Sequence, residues 1–492
     1  MGNVRYVCLS DLHFGEDHSL FSNLPDANSD VDYSKPSPVM IQLVNCLRAI
    51  LPNRDKPETR SLILNGDILE LAFCEMNYGA NIFKQFIRLI MPRDEEALFD
   101  EIIFIPGNHD HHLWEIARET QYLGYLNRHH NKKTLPRPWH TTSLFFEDEK
   151  HHIKAHLLTE VSRDYLKNRP IWIAYPNLAL LSKDKSKCVV FHHGHFTENI
   201  YWLMSRIKSR LFGLSLPVDV WKLEEENYAW IDFFWSALGR SGEAGRGLET
   251  IYDKLLDPEA IDELTQNTAH LIDDLAGNTV VKWLDHLKIL KAVLNYFVGG
   301  HWQTERSSVD DPLSEEAKRY LALYLETPLR RHIANRLPAE CPENKKHPEK
   351  NLPRSYLKKL PETTFVFGHT HKPFCDDLEF EHYENPVHVY NTGGWVVDTL
   401  VPAPCHGGAI VLIDENMETA FLKVYNESAS PRKRSVEIDC ATDADHHQNQ
   451  FSSQIKTLVE SSRRCWKKLS TEIDTAVTVR RERLNRNVEG PL

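Results

Sequence analysis

No CxxC pair and no apolar run long enough to cross a bilayer occur in these 492 residues. The cysteines number nine, odd and scattered, so reduced thiols are expected rather than a disulfide framework. With 41% hydrophobic and 26% charged residues, the composition points away from a membrane protein and from wholesale disorder. The first residues lack the apolar core of a secretory signal, and Tyr6 stands where a myristoylation signal needs Ser or Thr. A cytoplasmic protein is expected. Excess positive charge is missing too: 58 Lys and Arg against 70 Asp and Glu give a formal net charge of -12. That argues against coating nucleic acid through a general basic surface, but leaves room for a local basic groove.

Histidine, by contrast, is abundant, 26 in all, with adjacent pairs at 111-112, 129-130, 151-152, 192-193 and 446-447. A single His therefore carries little weight unless its place on a strand end supports it. Short β-branched runs do end in polar clusters. Val4 to Leu9 precedes Ser10-Asp11, Ser61 to Leu64 precedes Gly66-Asp67, and Ile102 to Ile105 precedes Gly107-Asn108. Val189 to Phe191 runs into His192-His193, and Thr363 to Phe367 into Gly368-His369; Val387 to Tyr390 and Ala409 to Ile413 read as further strands. Helical patterns between them, such as Pro38 to Leu51 and Ile82 to Met91, complete a layered α/β core with its sites at strand ends.

The chain divides by character. Residues 1-195 and 361-425 form the predicted core. Residues 196-360 read as a helical insertion, with apolar faces such as Ile200, Leu203, Met204, Ile207 and Leu211, or Val280, Leu284, Leu287, Leu290, Leu294 and Phe297, the latter closed by Gly299-Gly300. A Pro-, Glu- and Lys-rich stretch over residues 338-353 reads as the return loop, and residues 426-492 as a polar, partly helical, peripheral tail.

Five strand-end clusters share one chemistry: Asp11-Leu12-His13, Gly66-Asp67, Gly107-Asn108-His109-Asp110, His192-His193-Gly194-His195 and Gly368-His369-Thr370-His371. Oxygen from Asp and Asn with nitrogen from His suits Mn²⁺, Fe, Zn²⁺ or Co²⁺ rather than Ca²⁺. Each cluster alone is weak, because His-rich pairs are usually solvated loops; together, in this order and each after an apolar run, they specify a site.

These motifs resemble those of the calcineurin-like metallophosphoesterase superfamily, D-x-H, G-D, G-N-H-D/E, H-G and G-H-x-H in order. The resemblance covers residues 1-195 and 361-425 and implies an α/β fold, a two-sheet β-sandwich flanked by helices, here with a large helical insertion. Asn391-Thr392-Gly393-Gly394-Trp395 resembles the N-x-G-x-W segment of the branch containing the UDP-2,3-diacylglucosamine pyrophosphatases. Carried over by motif, Asp11, His13 and His371 hold one metal, Asp67 bridges two, and Asn108, His193 and His369 complete the second, with His192 the alternative to His193. The resemblance thus implies two divalent ions, Mn²⁺ first, with Fe, Zn²⁺ or Co²⁺ as alternatives, and attack by a metal-activated hydroxide. His109 becomes the candidate general acid, oriented by Glu70 or by Asp110, and His195 faces the substrate or supports a ligand.

The expected activity is hydrolysis of phosphate esters, whether phosphodiester, pyrophosphate or phosphomonoester, with a nucleotide-like or lipid-like substrate. A nuclease reading would draw on Arg206, Lys208 and Arg210, though the acidic balance weighs against it. A non-catalytic scaffold would be expected to have lost a ligand residue, and none is missing. The insertion is expected to cap the site and select the substrate without contributing to catalysis. Its dense aromatics, Tyr201, Trp202, Trp221, Tyr228, Trp230, Phe233, Phe234 and Trp235, would mostly fill its own core.

Overall fold

The computed structural model describes residues 3-51, 59-129, 133-146, 152-167, 169-217, 220-237, 312-334, 360-381, 383-397, 399-427, 437-439 and 449-489. The helix predicted over residues 280-297 and the return loop over residues 338-353 lie outside these. The strands are β1 (Val4–Leu9), β2 (Ser61–Asn65), β3 (Glu101–Ile105), β4 (Ile153–Lys154), β5 (Trp172–Ile173), β6 (Asn177–Leu181) and β7 (Lys187–His192), followed by β8 (Glu362–Phe367), β9 (Phe374–Leu378), β10 (Val387–Asn391), β11 (Gly407–Asp414), β12 (Thr419–Asn426) and β13 (Glu437–Asp439). The helices are α1 (Pro38–Ile50), α2 (Met76–Ile90), α3 (His112–Arg128), α4 (His156–Ser162), α5 (Leu203–Phe212), α6 (Val220–Ile231), α7 (Glu315–Tyr324), α8 (Arg330–Ala334), α9 (Gln450–Ser461) and α10 (Arg463–Glu489). Among the described residues no helix is long and apolar enough to cross a membrane.

Two mixed sheets result, in the orders β13-β12-β11-β1-β2-β3-β5-β4 and β6-β7-β8-β10-β9. Period-two alternation explains why they stack. In β1, β2, β3 and β11 the residues Cys8, Ile63, Ile103 and Val411 face the same apolar layer as Val189, Phe191, Val366 and Tyr390 of the second sheet. Their neighbours Val7, Leu9, Leu62, Leu64, Phe104 and Leu412 point the other way, onto a core shared with α1 and α2. The chain is thus a mixed α/β sandwich, as the motifs implied.

The outer face of the second sheet needs cover of its own. Val190, Phe365, Phe367 and Val389 stand there, and each would lose about 1.5–3 kcal/mol if left in water. The described part of the insertion supplies that cover through Phe196, Trp202, Leu223, Leu321, Tyr324 and Ile333. This departs from the expected self-contained cap: Trp202 stacks on Tyr320 at 4.8 Å within a core that the sheet shares. The apolar face predicted on α5 is not buried among the described residues, Met204 being 40% and Leu211 67% exposed.

The C-terminal segment also differs from the peripheral tail expected. Phe451, Ile455, Trp466, Leu469, Ile473 and Val477 join the main core beside α1. The long charged helix hid this because its apolar stripe is sparse. Arg480, 1% exposed, donates from Nε to the Ser19 carbonyl at 2.8 Å and from Nη2 to that of Ser22 at 2.6 Å. Ser19 Oγ in turn donates to the Leu12 carbonyl at 2.7 Å, so α10 braces the loop that leaves the D-x-H motif. Arg480→Met keeps the buried stem but removes both charged hydrogen bonds, leaving the Ser19 and Ser22 carbonyls with only the Ser22 and Leu24 amides as donors, and is expected to destabilise the fold by about 2–4 kcal/mol. An unchanged urea midpoint would show that the brace is dispensable.

Candidate metal centre at the strand ends

All five motifs leave the C-terminal ends of strands that run parallel to a neighbour: β1, β2 and β3 in one sheet, β7 and β8 in the other. Their loops turn sharply. Asp11, His13, Asp67, His369 and His371 all adopt positive φ, between 43° and 70°. Left-handed backbone at non-glycine residues costs about 1–3 kcal/mol each and tends to gather where function constrains the chain.

Two glycines show why the motifs have the spelling they do. A Cβ on Gly107 would lie 2.2 Å from Asp67 Oδ1, and one on Gly368 would lie 2.1 Å from Asp11 Oδ2. Each glycine leaves room for a carboxylate delivered by a different strand.

The resulting cluster is almost wholly buried. Three groups of side chains bring ligand atoms within 4.8 Å of one another: Asp11, His13 and His371; Asp67, His193 and His369; and His13, Glu70 and His109. Asn108 Oδ1 joins the second, 3.0 Å from His193 Nε2, which is also 3.0 Å from Asp67 Oδ2. His192 does not join it. Its ring turns toward Phe196 and Tyr324, and its Nδ1 accepts from the Gly194 amide.

Glu70 and Asp110 have separate tasks. Glu70 Oε2 lies 2.7 Å from His109 Nδ1 and 2.8 Å from His13 Nδ1, so one carboxylate oxygen serves two rings. Asp110 instead accepts from the backbone amides of Gly107 and Ile68, both at 2.7 Å, and ties the G-D and G-N-H-D loops together.

Electrostatics follow burial and neighbours. Burial pushes the Asp67 carboxyl up, yet His193, His109 and His13 outweigh it and hold the group well below the usual range. The same contest, with His109 and His13 as partners, leaves Glu70 at about 2. Burial and the nearby Asp67 charge raise Asp110 to about 7. His193, which burial alone would depress, is lifted to about 9 by Asp67 and Asp11. Burial lowers His369 to about 4 against the pull of Glu198.

The donor set fits divalent metal. With Nδ1 of His13 against Glu70, its Nε2 is buried without a hydrogen-bond partner among the described residues, the arrangement of a histidine ligand held by a carboxylate. His369 Nδ1 is likewise buried without one.

Sequence reasoning missed several supports. Glu198 stands 3.4 Å from His369 Nε2, and Ser236 Oγ of the insertion donates to the Asn108 carbonyl at 2.5 Å. Neither carries a local signal. Asn391 is legible as the first residue of the N-x-G-x-W segment: its Nδ2 donates to the Gly368 carbonyl at 3.0 Å and to Thr370 Oγ1 at 2.9 Å, bracing the G-H-x-H turn.

No curated protein matches the chain. Residues 4–221 match the family model described as Calcineurin-like phosphoesterase, a span holding the first four motifs, and the fold brings the fifth, Gly368 to His371, to the same place. Over that segment, a little under half of its length, the chain is similar to the calcineurin-like phosphoesterase family.

Proposed function

We propose that this chain is a hydrolase of phosphate esters that works with two divalent metal ions, Mn²⁺ by preference and Fe, Zn²⁺ or Co²⁺ otherwise. The observation that carries the reading is the convergence of Asp11, His13 and His371 beside Asp67, His193 and His369 in a buried site. Asp11, His13 and His371 would hold one ion, Asn108, His193 and His369 the other, and Asp67, near both sets, would be shared. Bound there, the ions would supply charge for the phosphoryl oxygens and lower the pKa of an attacking water.

The chain's own residues supply the rest. Glu70 fixes His13 and His109 through Nδ1 of each ring, leaving Nε2 of His109 as the atom that carries a proton to the leaving-group oxygen. Burial keeps bulk water from competing with these contacts.

The substrate class stays at phosphodiesters, pyrophosphates or phosphomonoesters, nucleotide-like or lipid-like. The nuclease reading gains no support: Lys208 pairs with Glu226 at 2.6 Å and Arg206 donates to the Tyr320 hydroxyl at 2.5 Å, so the candidate basic strip is largely engaged within the fold.

Chelated protein is expected to be inactive toward bis(p-nitrophenyl) phosphate and to melt at a lower temperature, with Mn²⁺ restoring both. Full activity in protein free of metal by elemental analysis would overturn the reading.

A further inference from the structure

Helix α6 of the insertion reaches the centre through Glu224, and the contacts it makes there give the insertion a chemical task. The Glu224 carboxylate is 1% exposed. Its Oε1 lies 2.8 Å from His195 Nε2, and its Oε2 accepts from the Tyr175 hydroxyl at 2.5 Å. Burial pushes its pKa up, but His195, His192 and Tyr175 more than offset this and hold it at about 2. An ionised carboxylate is costly to bury without such partners.

His195 in turn stands at the edge of the metal centre, its ring 5.8 Å from that of His193 and 6.3 Å from that of His369. It belongs to none of the three groups that could hold an ion. Its Nδ1 is buried and, among the described residues, has no hydrogen-bond partner. Buried polar atoms are seldom left so, which points to a ligand atom as the missing partner.

We propose that His195 contacts a phosphoryl oxygen of the substrate through Nδ1, and that Glu224 is the positioning residue that holds the ring for this contact. The inference rests on the phosphoesterase reading above. It revises the expectation that the insertion only selects substrate, because a helix within residues 196-360 then serves turnover of every phosphate ester, small ones included. Tyr175, at the end of the first sheet's β5, anchors the carboxylate from the other side.

The test uses the Mn²⁺-loaded full chain and bis(p-nitrophenyl) phosphate, too small to need a selective cap. His195→Asn and Glu224→Gln are each expected to lower kcat/KM about 10–100-fold with metal content unchanged, as for residues that orient a site. The double variant should be no worse than His195→Asn, and Glu224→Asp should recover part of the loss. Full activity in Glu224→Gln, strict additivity, or loss of metal in that variant would overturn the proposal. A second measurement is independent of turnover: ring-nitrogen NMR of His195 in Zn²⁺-loaded wild type, titrated with inorganic phosphate. A phosphate-dependent shift of the His195 resonance, lost in Glu224→Gln, is expected, and its absence in wild type would overturn the contact. Wild-type protein that hydrolyses no phosphate ester would count against the phosphoesterase reading, while the phosphate titration would still decide on His195.

Discussion

Replacing Asp67 with Asn is expected to lower kcat for phosphate esters by about a thousandfold or more and to strip metal from both ligand groups. Asp67 lies between the two sets: its Oδ2 is 3.0 Å from His193 Nε2 and 3.9 Å from His13 Nε2, while its Oδ1 accepts from the His109 amide at 2.8 Å. The amide of Asn preserves shape and that backbone contact but removes the charge. Metal charge stabilisation amounts to several kcal/mol, and each 1.4 kcal/mol is about a factor of ten, which sets the magnitude. Elemental analysis and turnover should fall together. A variant that keeps two ions per chain and near-normal kcat would show that Asp67 is not the shared ligand.

His109→Ala should behave differently. Metal should be retained, because the neighbouring Asn108 and not the His109 ring is proposed as the ligand, yet turnover should fall about 10²–10⁴-fold for esters with poor leaving groups. Nitrophenolate needs little protonation, so its esters should suffer far less. Glu70 complicates a simpler experiment, since its single oxygen Oε2 meets both His109 and His13. Changing Glu70 would disturb a proposed ligand and the proposed acid at once, whereas removing the His109 ring isolates the proton. Equal losses for good and poor leaving groups would take His109 out of the acid role.

Much of this centre is legible in the amino-acid sequence. The strand ends at Leu9, Asn65, Ile105, His192 and Phe367 lie within a residue or so of where the apolar runs stop. Burial on both faces makes such strands apolar throughout, so their polar ends stand out. The apolar period marks helix α2 only from Ile82, although the helix begins at Met76. Gly79 obscures its first turns, and the reason is tertiary: a Cβ there would lie 2.5 Å from the Phe14 carbonyl. Short strands such as β4 and β5, two residues each, are too brief to show a period.

The sequence by itself determined the identity and order of the five motifs, the α/β alternation and the donor chemistry, because each depends on residues close along the chain. Only the tertiary structure decided that His193 and not His192 turns to Asp67, that Glu70 serves two rings while Asp110 ties two loops together, that α10 packs into the core, and that α6 delivers Glu224 to His195. The deciding contacts reach far along the chain, from 29 positions between Glu224 and His195 to 461 between Arg480 and Ser19. A lone Glu or Arg on a charged helix carries no period that marks its partner. Burial alone makes such a residue's pairing obligatory, and burial is a property of the packed chain.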